Sequence, residues 1–279
     1  MGMEVVRHVL DLTKNSRAEY FHYISTVFAA GTSNGLVPEL PVSASGFTNV
    51  YEESKALAEK KISRFCEESE IPYTIIRPSI VYGDSVTGRS LRFNALYYPV
   101  KSIQYIRDIY INELRNNGGA KSAQYGIFMH EDGFLNLPIR IYLPFTGSIN
   151  LIPLEYFTDT ALSVFEEPTP GMIYNIVSHK PLNMELLLKF TEDFLRIRGL
   201  EVIYNGSTGK NLRNPAEELF DHFMKPYRPY LSDRREFVTE NTRKATGGAK
   251  PPELTYEIFE RCMNFAVSVE WGKLFQSFI

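Results

Sequence analysis

YFHYISTVFAAGTSNGLVPELPVSASGFTNVYEESKALAEKKISRFCEESEIPYTIIRPSIV, residues 20–81, is the stretch that decides the fold. Tyr20 to Ala30 is rich in aromatic and β-branched residues and reads as a strand, broken by Gly31 and by Ser33-Asn34-Gly35. From Val50 to Glu70 the apolar positions recur at helical spacing, with Asn49 as N-cap and Glu52 three residues on, close to a capping box. Ile71 to Val81 then reads as a buried strand. Strand, helix and strand with connections of this length form a βαβ unit, which implies a parallel sheet covered by helices. The fold class is α/β.

On the N-terminal side, Val5, Val6, Val9, Leu10 and Leu12 give a helix over Glu4 to Lys14. On the C-terminal side, Arg89 to Gly119 is a long, tyrosine-rich helical stretch, followed by an irregular, glycine-bearing segment to about Ser148. Ile149 to Pro153 and Met172 to Val177 are expected as short strands around a helix over Leu154 to Phe165. The remainder reads as mostly helical: Met184 to Ile197, a helix opened by Asn214-Pro215, and Leu254 to Val269, with Asn241 to Pro252 as a flexible surface loop.

Composition narrows the function. The 279 residues are 44% hydrophobic and 23% charged, which excludes disorder, collagen and coiled coil. A formal charge of −3 supplies no electrostatic reason to expect nucleic acid or an anionic membrane as partner. Cys66 and Cys262 form no C-x-x-C pair, so a reducing cytoplasm is the expected compartment. His8, His22, His130, His179 and His222 lack ligand spacing, and no metal is expected. No apolar run approaches the length of a membrane span.

Chemistry concentrates at the start of the second helix. Tyr51 and Lys55 form a Y-x-x-x-K pair whose side chains share one helix face. An ammonium beside a phenol lowers its pKa, making a tyrosine a usable proton donor near neutral pH. Ser25 and Thr26 stand at the end of one strand and Arg77-Pro78 at the end of the next, where open α/β sheets collect ligands.

YISTVFAAG (Tyr23 to Gly31), GFTNVYEESKALAEK (Gly46 to Lys60) and IPYTIIRPSIVYGDSVTGRS (Ile71 to Ser90) together resemble the extended short-chain dehydrogenase/reductase superfamily. Within it they are similar to the fatty acyl-CoA reductase and thioester reductase branch, the male-sterility-like NAD-binding group. INLIPLEYFTDTAL (Ile149 to Leu162) looks like a later strand and helix of that family, with Glu155 where an Asp is usual. The resemblance implies Tyr51 as general acid and Thr26 as hydrogen-bond donor to a substrate carbonyl. It implies that Lys55 holds the nicotinamide ribose and that Ser25, Pro78, Ser79 and Ile80 line the cofactor, NADP being favoured over NAD. The substrate is a small acyl or carbonyl compound, reduced by hydride transfer, and a homodimer is allowed. On this reading residues 1–90 and 149–180 form part of a Rossmann-like doubly wound core, and residues 91–148 and 181–279 form a substrate-binding lobe. Phe93, Tyr97, Tyr98, Tyr105 and Tyr110 are candidates for that lobe's inner wall.

One departure is large. The superfamily seats the pyrophosphate on a glycine-rich turn between its first strand and first helix, and this chain has none. Gly31 to Gly35 follows the catalytic strand, while Gly206-Ser207-Thr208-Gly209 lies far along the chain. The sequence therefore reads as the C-terminal part of a reductase, expected to bind no dinucleotide usefully on its own. The alternatives are a nucleotide-sugar epimerase or dehydratase, which uses the same Thr, Tyr and Lys, and a non-catalytic remnant kept as a binding module.

Overall fold

The computed structural model describes residues 2–32, 35–44, 46–204, 213–231 and 233–273. Gly206 to Gly209 and the Ser33-Asn34 pair lie outside them. The chain forms two compact units, one of residues 1–81, 150–180 and 234–253, the other of residues 82–149, 181–233 and 254–279.

The first unit is built on a parallel sheet. Helix α1 (Gly2–Asn15) precedes strand β1 (Phe21–Ile24). Strand β2 (Gly35–Val37) leads to helix α2 (Val50–Glu68), strand β3 (Tyr73–Pro78) and the short strand β4 (Ile80–Val81). β3 is central, pairing in parallel with β1 on one side and with the strand Ile173–Ile176 on the other. It is also the most protected, buried throughout apart from its first residue. The two-residue period of a strand sends alternate side chains to opposite faces. Leu10, Ala58, Ile62 and Cys66 of α1 and α2 cover one face, with Tyr23 and Tyr73 packed against them. Ile76 of β3 joins Tyr156 and Val164 of the helix Leu154–Glu166 on the other.

Three expectations need correction here. The strand expected over Tyr20 to Ala30 ends at Ile24, and Val27–Ala30 is a 3₁₀ turn, because Thr26 caps the Phe28 amide instead of continuing the ladder. The strand expected over Ile71 to Val81 is interrupted at Ser79: β3 pairs with Ile173–Ile176, whereas β4 pairs with Leu151–Ile152. The loop expected over Asn241 to Pro252 contains the helix Glu240–Ala245, anchored by the buried Glu39. Glu39 accepts hydrogen bonds from the amides of Asn175, Asn241 and Thr242 and from the Thr242 hydroxyl.

The second unit is less helical than its sequence suggests. Leu135–Leu143, inside the segment read as irregular, is a nine-residue strand with a strict buried and half-buried alternation. It pairs in parallel with Ile197–Tyr204, which extends where a helix was expected to end. The helices Tyr97–Asn117, Met184–Leu195, Pro215–Met224 and Tyr256–Ser268 complete the unit.

Candidate active site

The site is assembled at the carboxyl ends of β1 and β3. The Ser25 amide donates to Ile76 O at 2.7 Å, carrying the ladder one residue past β1. Thr26 follows, 4% exposed, its hydroxyl accepting from Phe28 N and donating to Pro78 O, both at 3.4 Å. The chain then turns sharply at Gly31, whose φ of 66° and ψ of −151° belong to glycine. A Cβ there would stand 2.2 Å from Gly46 O. That close approach, with Thr32 N donating to Gly46 O, brings the segment entering α2 against the end of β1.

Helix α2 starts at once. Asn49 caps it by accepting from Glu52 N, and Glu52 accepts from Thr48 N, a capping box displaced by one residue. Tyr51 lies in the first turn, 54% exposed, with its phenol beside the Thr26 hydroxyl. One turn on, Lys55 Nζ donates to Ile24 O at 3.0 Å and lies 5.1 Å over the Tyr23 ring. Thr26, Tyr51 and Lys55 are thus within one neighbourhood of the sheet edge.

The electrostatics differ from the sequence expectation. Partial burial raises the Tyr51 pKa above its ordinary value, and the Thr26 hydrogen bond draws it part of the way back. Lys55 does not lower it, because its ammonium is committed to Ile24 O and the Tyr23 ring. Burial lowers the Lys55 pKa, opposed by the charge of Glu59.

Pro78, Ser79 and Ile80 cross from β3 into β4, with the Ser79 amide donating to Ile176 O and the Ile80 amide to Asn150 O. The hydroxyls of Ser25 and Ser79 are buried and have no hydrogen-bond partner among the described residues. An unsatisfied buried hydroxyl costs about 1–3 kcal/mol, and two of them sit at the ends of adjacent strands. They offer donors and acceptors to a polar ligand, as the nicotinamide and ribose half of a dinucleotide requires. The pyrophosphate half finds no comparable provision: no glycine-rich turn links a strand to a helix among the described residues.

Sequence reasoning placed Arg77 at this strand end but overlooked Glu59 and the pairing between them. A bidentate ion pair joins them, Arg77 1% and Glu59 3% exposed, with Glu59 one helical turn beyond Lys55 on α2. The signal was an arginine within an otherwise apolar strand and a glutamate four residues beyond Lys55. The rings of the second unit mostly pack against one another: Phe93 against Tyr97 at 5.1 Å, Tyr98 against Tyr227 at 4.9 Å and Tyr105 against Phe223 at 5.9 Å. Tyr97 is fully buried and accepts from Gly83 N. A cavity of about 550 Å³ in that unit is lined instead by Thr87, Glu257, Glu260, Arg261, Asn264, Phe265 and Ser268.

Residues 2–121 match the family model described as male sterility protein, an NAD-binding family. No curated protein matches the chain in sequence. Among solved structures, the terminal R domain of the myxalamid PKS-NRPS biosynthetic pathway is 19% identical with a TM-score of 0.67, covering 96% of this chain and 63% of that one. The UDP-glucuronic acid 4-epimerase of Bacillus cereus, in complex with NAD, is 13% identical with a TM-score of 0.60, covering 97% and 67%. The dTDP-glucose 4,6-dehydratase of Bacillus anthracis, also with NAD, is 15% identical with a TM-score of 0.58, covering 96% and 68%. The shared property is the α/β fold with its parallel sheet, and the chain spans about two thirds of the length of these structures.

Proposed function

We propose that this chain, with the extended short-chain dehydrogenase/reductase fold and a male sterility match over residues 2–121, carries the nicotinamide and carbonyl part of an NAD(P)H-dependent reductase of acyl thioesters or related carbonyl compounds. The observation that carries the reading is the Thr26 hydroxyl beside the Tyr51 phenol, next to the two unpartnered serine hydroxyls at the strand ends. The match to the male sterility family favours this reading over epimerase or dehydratase chemistry, which would use the same three residues.

A bound reduced nicotinamide supplies a hydride to the carbonyl carbon. The residues here handle the oxygen. The Tyr51 phenol beside Thr26 can donate its proton where negative charge develops as the C=O bond becomes a single bond, and Thr26, whose hydroxyl donates to Pro78 O here, would join it by turning that hydroxyl proton to the substrate oxygen. Tyr51 gives up its proton to that oxygen, and its raised pKa keeps the proton in place until charge appears. With a thioester the resulting hemithioacetal breaks its C–S bond, releasing a thiol and leaving an aldehyde. Lys55, Ser25 and Ser79 are the groups that would hold the ribose and nicotinamide.

The test is stoichiometry, made in a polypeptide that joins this chain to a glycine-rich dinucleotide turn. One NADPH should be oxidised per thiol released from an acyl thioester. Tyr51→Phe should lower kcat by about 10²–10⁴-fold while leaving the affinity for NADPH nearly intact. Turnover of a nucleotide sugar without net NADPH consumption would instead establish the epimerase or dehydratase chemistry, and unchanged kcat in Tyr51→Phe would remove the role given to the phenol.

A further inference from the structure

Lys55 and Glu59 are four residues apart on α2, the spacing at which a lysine and a glutamate ordinarily close an ion pair along a helix. Here no such pair forms. Arg77 of β3 takes both carboxylate oxygens, Nε donating to Oε1 at 2.9 Å and Nη2 to Oε2 at 2.6 Å. Arg77 and Glu59 are buried, and Ala58 and Ile62 on α2 and Ile75 on β3 beside them are buried too. An apolar pair in such surroundings is often as stable as a buried ion pair, or more so, so stability alone does not call for these two residues. What the bidentate fork does provide is a fixed orientation of the carboxylate.

We propose that Arg77 is a positioning residue for Lys55: by occupying both oxygens of Glu59 it keeps the Lys55–Glu59 pair from closing and leaves the ammonium directed at the end of β1. The inference rests on the proposed role of Lys55 at that site. Glu59, held in place, acts on Lys55 through space, its charge opposing the effect of burial on the ammonium. Tyr23 on β1 and Tyr51 and Glu59 on α2 are the titratable neighbours of that ammonium, with Arg77 beyond Glu59.

The lysine side-chain NMR signals of the unliganded chain, assigned with Lys55→Arg and followed across the alkaline range, read this directly. In Arg77→Met, Glu59 is free to swing onto Lys55, and the Lys55 midpoint should move up. In Arg77→Met combined with Glu59→Leu, an apolar pair expected to preserve the fold, the midpoint should move down. A Lys55 midpoint that stays at the wild-type value in both variants, or moves the same way in both, overturns the proposal, and so does a crystal structure of Arg77→Met in which Lys55 Nζ still donates to Ile24 O, since loss of the Arg77 charge alone would move the midpoint without moving the ammonium. Should Arg77→Met fail to fold, Arg77→Lys decides: the charge at position 77 is kept but the bidentate fork is lost, so one Glu59 oxygen is freed and the Lys55 midpoint should move up, and an unchanged midpoint contradicts the proposal. The readout needs no dinucleotide, so site residues left unmoved by saturating NADPH would count against the site reading and leave this assignment standing.

Discussion

Single residues decide whether the site exists, and Gly31 is the sharpest case. Its backbone lies in a region essentially reserved for glycine, and its missing side chain is what lets Gly46 O approach. Gly31→Ala should destabilise the chain by about 3 kcal/mol or more, from backbone strain plus the displaced Gly46 segment. Gly35→Ala, with a φ of 83° but open space around its Cβ, should cost about 1 kcal/mol. Urea midpoints compare the two directly, and equal costs would show that the Gly31–Gly46 approach is not what delivers α2 to the strand end. The sequence made Tyr51, Lys55 and Thr26 legible because Y-x-x-x-K and a strand-end hydroxyl are local patterns. The charge relations were not legible, since they depend on Lys55 reaching Ile24 O, a contact across 31 positions.

At the scale of elements, local periodicity found α1, α2 and the helices Leu154–Glu166, Pro215–Met224 and Tyr256–Ser268, because each has an apolar stripe and most have a recognisable cap. It missed Leu135–Leu143, inside the glycine-bearing segment read as irregular, even though the alternation Leu135, Leu137, Ile139, Ile141, Leu143 is complete. It missed the helix Glu240–Ala245 for a different reason. That helix has six residues, too short to stand on its own propensity, and depends on Glu39 from about 200 positions away. Glu39→Ala leaves the Asn175, Asn241 and Thr242 amides without their acceptor, each costing about 1–3 kcal/mol if no water replaces it. Hydrogen exchange should show residues 240–246 losing protection in this variant ahead of the central strand β3. Unchanged protection there would mean that the helix is held by something other than Glu39.

For the whole molecule, the fold class was written in one βαβ stretch, whereas the sheet of the second unit was hidden by its long-range parallel pairing of Leu135–Leu143 with Ile197–Tyr204. In the first unit, the ends of β1 and β3 with the start of α2 are proposed to form the nicotinamide and carbonyl part of a reductase site. An amide-resolved NMR titration of the labelled chain with NADPH tests it most directly. Shifts are expected to be confined to Ser25, Thr26, Tyr51, Lys55, Ser79, Ile80 and their immediate neighbours, with an affinity weaker than about micromolar because no glycine-rich turn among the described residues anchors the pyrophosphate. Saturating NADPH that leaves these residues unmoved, or binds tightly through another part of the chain, would contradict it.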